Sequence, residues 1–526
     1  MPVLVIVGFV LVPSGGTWLH LASTVLPAYV RNSLLLMLGV ALGTLIVGVG
    51  TAWLTSMCRF PGRGLFEWAL LLPMAMPAYI IAYTYTGMLD FAGPVQTALR
   101  QISGWSYGDY WFPEVRSLPG AAAMLSLVLY PYVYLLSRAA FLGQSICVLD
   151  VSRTLGNGPW RTFATVALPL ARPAIVAGLS LALMETLADY GTVQYFGVQT
   201  FTTGIFRTWY GLGDPAGAAQ LSALLLGFIL VLIALERLSR RDARYHHTSQ
   251  RQQAIRCYRL GGWPAAAAIA FCVLPLLFGF LIPAGQLALW AASVADTASG
   301  AHFLKLTLNT LGLAMLTALL ALVLALVLGY GRRLRPSRPV SLSVRLAGLG
   351  YAVPGTVVAI GVLIPFAWLD NQVDAWMRAN FQVSTGLLLS GTLVALVLGY
   401  LVRFLAVSLQ TVEAGLGKIR PTMDEAARSL GLRPGQVLWR VHVPLLRGSL
   451  VTAMLLVFVD VMKELPATLI LRPFDFNTLA VRAFELASDE RLADSAPAAL
   501  TIVLVGLIPV ILLSRSITVS RHAEPA

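Results

Sequence analysis

Long apolar stretches separated by short polar ones run the whole length of the chain. Apolar runs of 18 or more residues recur from end to end, and each can cross a hydrocarbon core of about 30 Å as a helix. Hydropathy places twelve spans, at 1–18, 32–56, 65–90, 119–138, 172–190, 215–236, 263–290, 303–330, 343–369, 385–409, 448–471 and 497–514. The pattern predicts an all-α, polytopic membrane protein.

Composition sharpens this. Of 526 residues, 57% are hydrophobic and 12% charged, about half the charge of a soluble domain; the mean hydropathy is +0.77. A secreted enzyme, a disordered scaffold and a nucleic-acid binder are excluded. The net charge of +13 comes from 34 Arg and 3 Lys scattered through short loops, without the continuous basic face that nucleic acid requires.

Assigning the N-terminus to the cytoplasm puts 27 of the 37 Lys and Arg residues in cytoplasmic segments and nine in the opposite ones, with Lys463 inside a span. Positive charge collects on the cytoplasmic side, so both termini are expected there. The first span is short: Val10–Gly15 matches Phe280–Gly285 later in the chain but has only nine residues before it. It lacks the basic start and cleavage site of a signal peptide, so the true start is expected upstream.

Candidate chemistry is sparse. Cys58, Cys147, Cys257 and Cys272 form no C-x-x-C pair, and the histidines show no metal-cage or haem spacing, so neither a disulfide framework nor a stable metal site is expected. Lys305, Lys418 and Lys463 are not followed by Ser or Thr, which removes any phosphate-binding G-x-x-x-x-G-K-[ST] loop. Any ATP and Mg must be bound by a partner chain, with no cofactor on this one.

Self-comparison reveals a duplication. Asn32-Ser33-Leu34 aligns with Asn309-Thr310-Leu311, and Pro77-Ala78 with Pro354-Gly355. A longer block follows without a gap: Arg153, Gly156, Pro159, Pro169 and Arg172 match Arg428, Gly431, Pro434, Pro444 and Arg447, and Glu185 and Asp189 fall on Asp460 and Glu464. Each half holds an even number of spans, so the halves share one orientation about a pseudo-two-fold along the membrane normal. The domains expected are a first half, 1–240, a basic cytoplasmic linker, 241–262, and a second half, 263–526.

The repeated loops, 150–172 and 425–447, read as a short helix, a glycine stop and a second short helix ended by Pro169 or Pro444. Gly156 and Gly431 suit a left-handed helix end, and Pro159 and Pro434 the first turn of the next helix. One such loop is ordinary solvated punctuation. Two in register on one face suggest docking to a two-fold partner.

Glu425-Ala426-Ala427-x-x-x-Gly431, followed by Val441-x-Val443-Pro444, resembles the EAA loop of type I ABC importer permeases. In that family the loop seats a coupling helix in a groove of the ATPase. The first copy departs, with Asp150-Val151-Ser152 in place of Glu-Ala-Ala. The segment Glu185-Thr186-Leu187-Ala188-Asp189-Tyr190-Gly191, continuing to Asp214, is similar to ferric-iron ABC permeases with two fused halves. So is Lys463-Glu464-Leu465-Pro466-Ala467-Thr468 with Ala487–Asp494. The resemblance covers essentially the whole chain. It implies two tandem six-helix halves, coupling residues Asp150, Arg153, Gly156, Pro159, Pro169, Glu425, Ala426, Ala427, Arg428, Gly431, Pro434 and Pro444, and a lipid bilayer around the chain. It also implies two ATP-binding-cassette ATPase subunits as partners, a periplasmic ferric-iron-binding protein, and residence in the bacterial inner membrane.

The intramembrane charges remain. Glu185 and Asp189 share a helical face, as do Asp460 and Glu464. Ionisable groups at that depth are costly and usually face a bundle interior or wet cavity. Local pairing is one explanation, since Lys463 can neutralise a neighbouring carboxylate and Arg472 another. The other is a translocation pathway lined by Glu185, Asp189, Tyr190, Asp460, Lys463, Glu464 and Pro466, in which the four carboxylates touch a hard cation transiently. Pro466 is expected to break its span, and Trp53, Trp68 and Trp368 to face lipid or the membrane interface. A thiamine or polyamine permease and, in another class, a secondary transporter are the competing functions.

Overall fold

The computed structural model describes residues 2–12, 16–106, 108–144, 151–152, 154–241, 257–294 and 300–522. It is helical almost throughout. Among the described residues ten helices are long and apolar enough to span a membrane, and a further pair, Arg63–Ala75 and Ala78–Ser103, bends by 89°. The count expected from hydropathy was twelve; within the first of those, 1–18, the described residues form the short helix Pro2–Phe9 and the start of Gly16–Thr24.

The expected spans 65–90 and 343–369 are both interrupted. The first breaks at Met76-Pro77 after a short tight turn, Leu72–Ala75. The second breaks at Val353-Pro354 after Gly350–Ala352. Proline biases the residue before it to extended backbone, and Met76 and Val353 have ψ of 114° and 125°.

Pro169 and Pro444 do not end their helices, contrary to the sequence expectation. Pro159–Ala188 and Pro434–Met462 each run on as one apolar helix. Each contains a widened π turn, Phe163–Ala167 or Leu438–His442, that finishes two residues before the proline. The same device precedes Pro283, after Leu277–Leu281. A proline in a regular helix clashes with the carbonyl four residues back, and the wider turn relieves that conflict without a break.

The chain forms two compact units. One comprises Met1–Trp18, Ile205–Leu226 and Val294–Leu486; the other comprises Leu19–Gly204, Gly227–Ser293 and Ala487–Ala526. Each therefore draws segments from both sequence halves. In the second unit Leu26–Met57 packs closely on Leu118–Leu142, where a side chain at Gly39 would meet Ala122 and one at Gly43 would meet Ser126. Small residues four apart let the two backbones approach, the usual route to tight contact between apolar helices in lipid. In the first unit, Ala325, Leu409, Val412, Leu416, Leu446, Leu450 and Ala453 form a buried cluster that joins three helices.

Candidate functional site

The second repeated loop is built on the Pro421–Ser429 helix. It ends with Gly431 at φ 81°, whose N–H donates to Arg428 C=O, while Leu432 N–H donates to Ala427 C=O. These two bonds close a Schellman turn. Pro434 then opens the long helix, and Arg433 N–H donates to the Gln436 side chain at 2.9 Å. The first loop repeats the turn: Gly156 has φ 79° and Asn157 N–H donates to Ser152 C=O at 3.2 Å. Asp150 and Arg153 lie outside the described residues.

Below its outer surface the second loop is clamped by charges the sequence reading missed. Arg333 donates from Nε to Asp424 Oδ2 at 2.7 Å and from its other nitrogens to Leu416 C=O and Ile419 C=O. Asp424 Oδ1 lies 2.5 Å from Nε2 of the fully buried His442, and Tyr330 OH donates to Pro434 C=O at 2.8 Å. Burial raises the Asp424 pKa, but the hydrogen bonds from Arg333 and His442 outweigh it and hold the carboxyl below its usual range. The first loop sits on rings instead: Trp53 packs on Phe163 at 4.8 Å and on Phe141 at 5.6 Å. Trp53 is thus buried rather than facing lipid. Trp53 and Tyr330 correspond in the repeat, a match that only the packing makes meaningful.

Both loops turn apolar side chains outward. Val151, Leu155 and Trp160 are exposed on the first, and Met423, Leu430 and Trp439 on the second. Glu425, Ala426 and Arg428 are also exposed, while Ala427 is buried beneath them. Each loop thus carries a cluster of exposed apolar side chains.

Two of the four intramembrane carboxylates, Asp189 and Glu464, occupy equivalent breaks. In one unit Pro159–Ala188 stops, and Asp189 accepts from Thr192 N–H, Thr192 OH and Val193 N–H at the start of Gly191–Tyr195. In the other unit Val443–Met462 stops before Pro466–Leu471. There Glu464 accepts from Ala467 N–H at 3.1 Å and from Arg403 at 2.5 Å. Arg403 is therefore an interior residue, where the charge count had assigned it to a cytoplasmic segment. Gly355, just past the break at Pro354, lies against this pair: a Cβ there would meet Glu464 Oε1 and Arg403 Nη1. One turn earlier, Asp460 pairs with Lys463 at 2.8 Å. Arg472 binds Glu485 instead of these carboxylates. Glu185 is half-buried, and Tyr190 is buried at its break. Glu185 and Asp189 lie in one unit, and Asp460, Lys463, Glu464 and Pro466 in the other.

Comparison with known proteins adds the family. The domain described as "binding-protein-dependent transport system inner membrane component" matches the chain twice, at residues 44–244 and 320–520. The chain is 27% identical over 491 residues to the Fe(3+)-transport system permease protein FbpB 2 of Haemophilus influenzae, covering 92% of this chain and 89% of that protein. It is 30% identical over 206 residues to the molybdenum transport system permease protein ModB of Escherichia coli, covering 37% of this chain and 87% of that protein. The sulfate transport system permease protein CysT of Escherichia coli is 25% identical over 210 residues, 38% of this chain and 71% of its own length.

Proposed function

The chain belongs to the family of binding-protein-dependent transport system inner membrane components, as a fused two-half ABC permease, and we propose that it carries ferric iron delivered by a periplasmic binding protein. It is a permease subunit rather than an enzyme. The observation that carries the iron reading is the similarity to an Fe(3+) permease over 92% of the chain, where the molybdenum and sulfate permeases match 37% and 38% of it. Charge agrees with it. No Lys or Arg occurs between Arg172 and Arg207, so the part of the span around Glu185 and Asp189 carries carboxylates with no basic residue in the same stretch. Such a span attracts a hard cation and repels an oxyanion.

On this reading two ATP-binding-cassette subunits dock on the two loops and drive alternating access. ATP can move the permease only because its two states bind the ATPases differently. Glu425, Ala426, Arg428 and the exposed Leu430 and Trp439 form the stronger dock. Arg153, Leu155, Gly156 and Trp160, with Asp150, form the weaker one. Glu185 and Asp460 line the route, with Tyr190, Lys463 and Pro466 beside them, and Asp189 and Glu464 hold the breaks that shape it. Both termini and both loops face the cytoplasm.

Proteoliposomes holding the permease, its ATPases and its binding protein test the substrate. Radiolabelled ferric iron should accumulate with ATP, and excess molybdate, sulfate or thiamine should not compete. Uptake of molybdate or sulfate in place of iron would discard the iron reading and leave the family intact.

A further inference from the structure

At the end of Leu26–Met57 the backbone extends through Cys58–Arg59 and pairs in parallel with Tyr258–Arg259. Arg59 and Arg259 are register partners, and Leu260 N–H donates to Arg59 C=O at 2.9 Å to fix that register. Paired strands lie about 4.8 Å apart, so both guanidinium groups leave from the same side of the bridge. Like charges so placed repel. Among the described residues neither arginine has a carboxylate partner.

The two arginines open onto a cleft of about 520 Å³, also lined by Phe60, Arg63, Gly64 and Glu67. Its acid is already engaged: Glu67 pairs with Arg63 at 3.2 Å and with the buried Arg138 at 3.1 Å. Arg63 is further held by Thr55 C=O at 2.7 Å. The cleft therefore keeps a positive excess that rests on Arg59 and Arg259. It sits at the end of a 32-residue apolar helix, the depth at which lipid headgroups gather around basic clefts.

We propose that this cleft is an anion site for a phosphate group, gripped between Arg59 and Arg259. Two guanidinium forks set side by side match the oxygens of a phosphate, which binds both and removes their repulsion. Phosphate esters of anionic lipid and free inorganic phosphate share this chemistry. Occupancy also bears on coupling, because the Tyr258 ring lies 6.3 Å from Trp53, the residue that seats Phe163 under the first loop.

The test uses the full chain in phosphatidylcholine nanodiscs, alone, with inorganic phosphate, or with phosphatidylglycerol added. Thermal unfolding and lipid retention in native mass spectrometry are both read. Wild type should be stabilised by at least one addition, and affinity should fall about fivefold for each of Arg59→Gln and Arg259→Gln. Stabilisation by phosphatidylglycerol alone identifies lipid as the source, and by inorganic phosphate in phosphatidylcholine a free anion. Without any anion, R59Q/R259Q should be at least as stable as wild type, since the repulsion is gone. Should the double variant not fold, wild type against Arg259→Lys, which keeps charge but loses the fork, gives the same comparison. No stabilisation of wild type by either anion, or equal stabilisation of wild type and variants, overturns the proposal.

Discussion

Arg403 Nη1 lies 2.5 Å from Glu464 Oε2, and neither side chain is more than 8% exposed. Glu464 also caps the short helix that begins at Pro466, so one buried pair secures the place where a membrane helix stops. Arg403→Met removes the guanidinium that compensates the buried Glu464 carboxylate and should cost about 3–5 kcal/mol. The yield of folded protein in detergent should drop, and R403M/E464Q should recover most of it. Equal yields for Arg403→Met and wild type would show that the pair does not hold the break.

Asp460 and Lys463 form a second pair at 2.8 Å, and both remain partly exposed. If Asp460 serves the passing cation, Asp460→Asn should lower transport per folded complex while stimulated ATP hydrolysis persists. The double variant D460N/K463M should not restore transport. Full recovery in the double variant would mean that the carboxylate is there to hold the lysine.

The clamp under the second loop has a defined pH response. The Asp424 carboxyl is held below its usual range by Arg333 and His442 against the opposing effect of burial. Its contribution is therefore complete above the unfolded value, about 3.9, and is lost as pH falls through the lower folded value. Lowering pH from 7 to 5 should leave the Asp424 contribution intact. Asp424→Asn should remove it at neutral pH, costing about 1–3 kcal/mol. Hydrogen exchange across 421–432 reads both, and unchanged protection in the variant would contradict the clamp.

Docking should be uneven. Leu430→Asp and Glu425→Lys alter exposed positions beside the Schellman turn, so the chain should insert normally. Loss of an interface anchor worth about 2 kcal/mol weakens ATPase binding about thirtyfold. Leu155→Asp should weaken it less, since the first loop has departed from the Glu-Ala-Ala pattern. A larger loss from Leu155→Asp would reverse the assignment of the stronger dock.

Hydropathy was enough to predict an all-helical membrane protein, and self-comparison its duplication and the glycine turns at Gly156 and Gly431. Apolar length and a left-handed helix end are local properties, written in neighbouring residues. The glycine positions came from the repeat, and the structure gives them φ of 79° and 81°.

What the linear pattern misread was continuity. Hydropathy carried a span across Pro77 and across Pro354, where the structure breaks it, and the loop's proline signals stopped a helix at Pro169 and Pro444, where a π turn carries it through. Proline removes one N–H donor and its ring clashes with the carbonyl four residues back, and the chain answers by breaking at Pro77 and Pro354 and by widening a turn before Pro169 and Pro444. The partners of buried charge were equally out of reach. Arg403 meets Glu464 across 61 residues and Arg333 meets Asp424 across 91, pairings that no local spacing encodes. Sequence alone determined where apolar helix forms and where the chain turns. Tertiary structure decided which charges neutralise one another and which helices run through their prolines, because both depend on groups that only folding brings within a few ångströms.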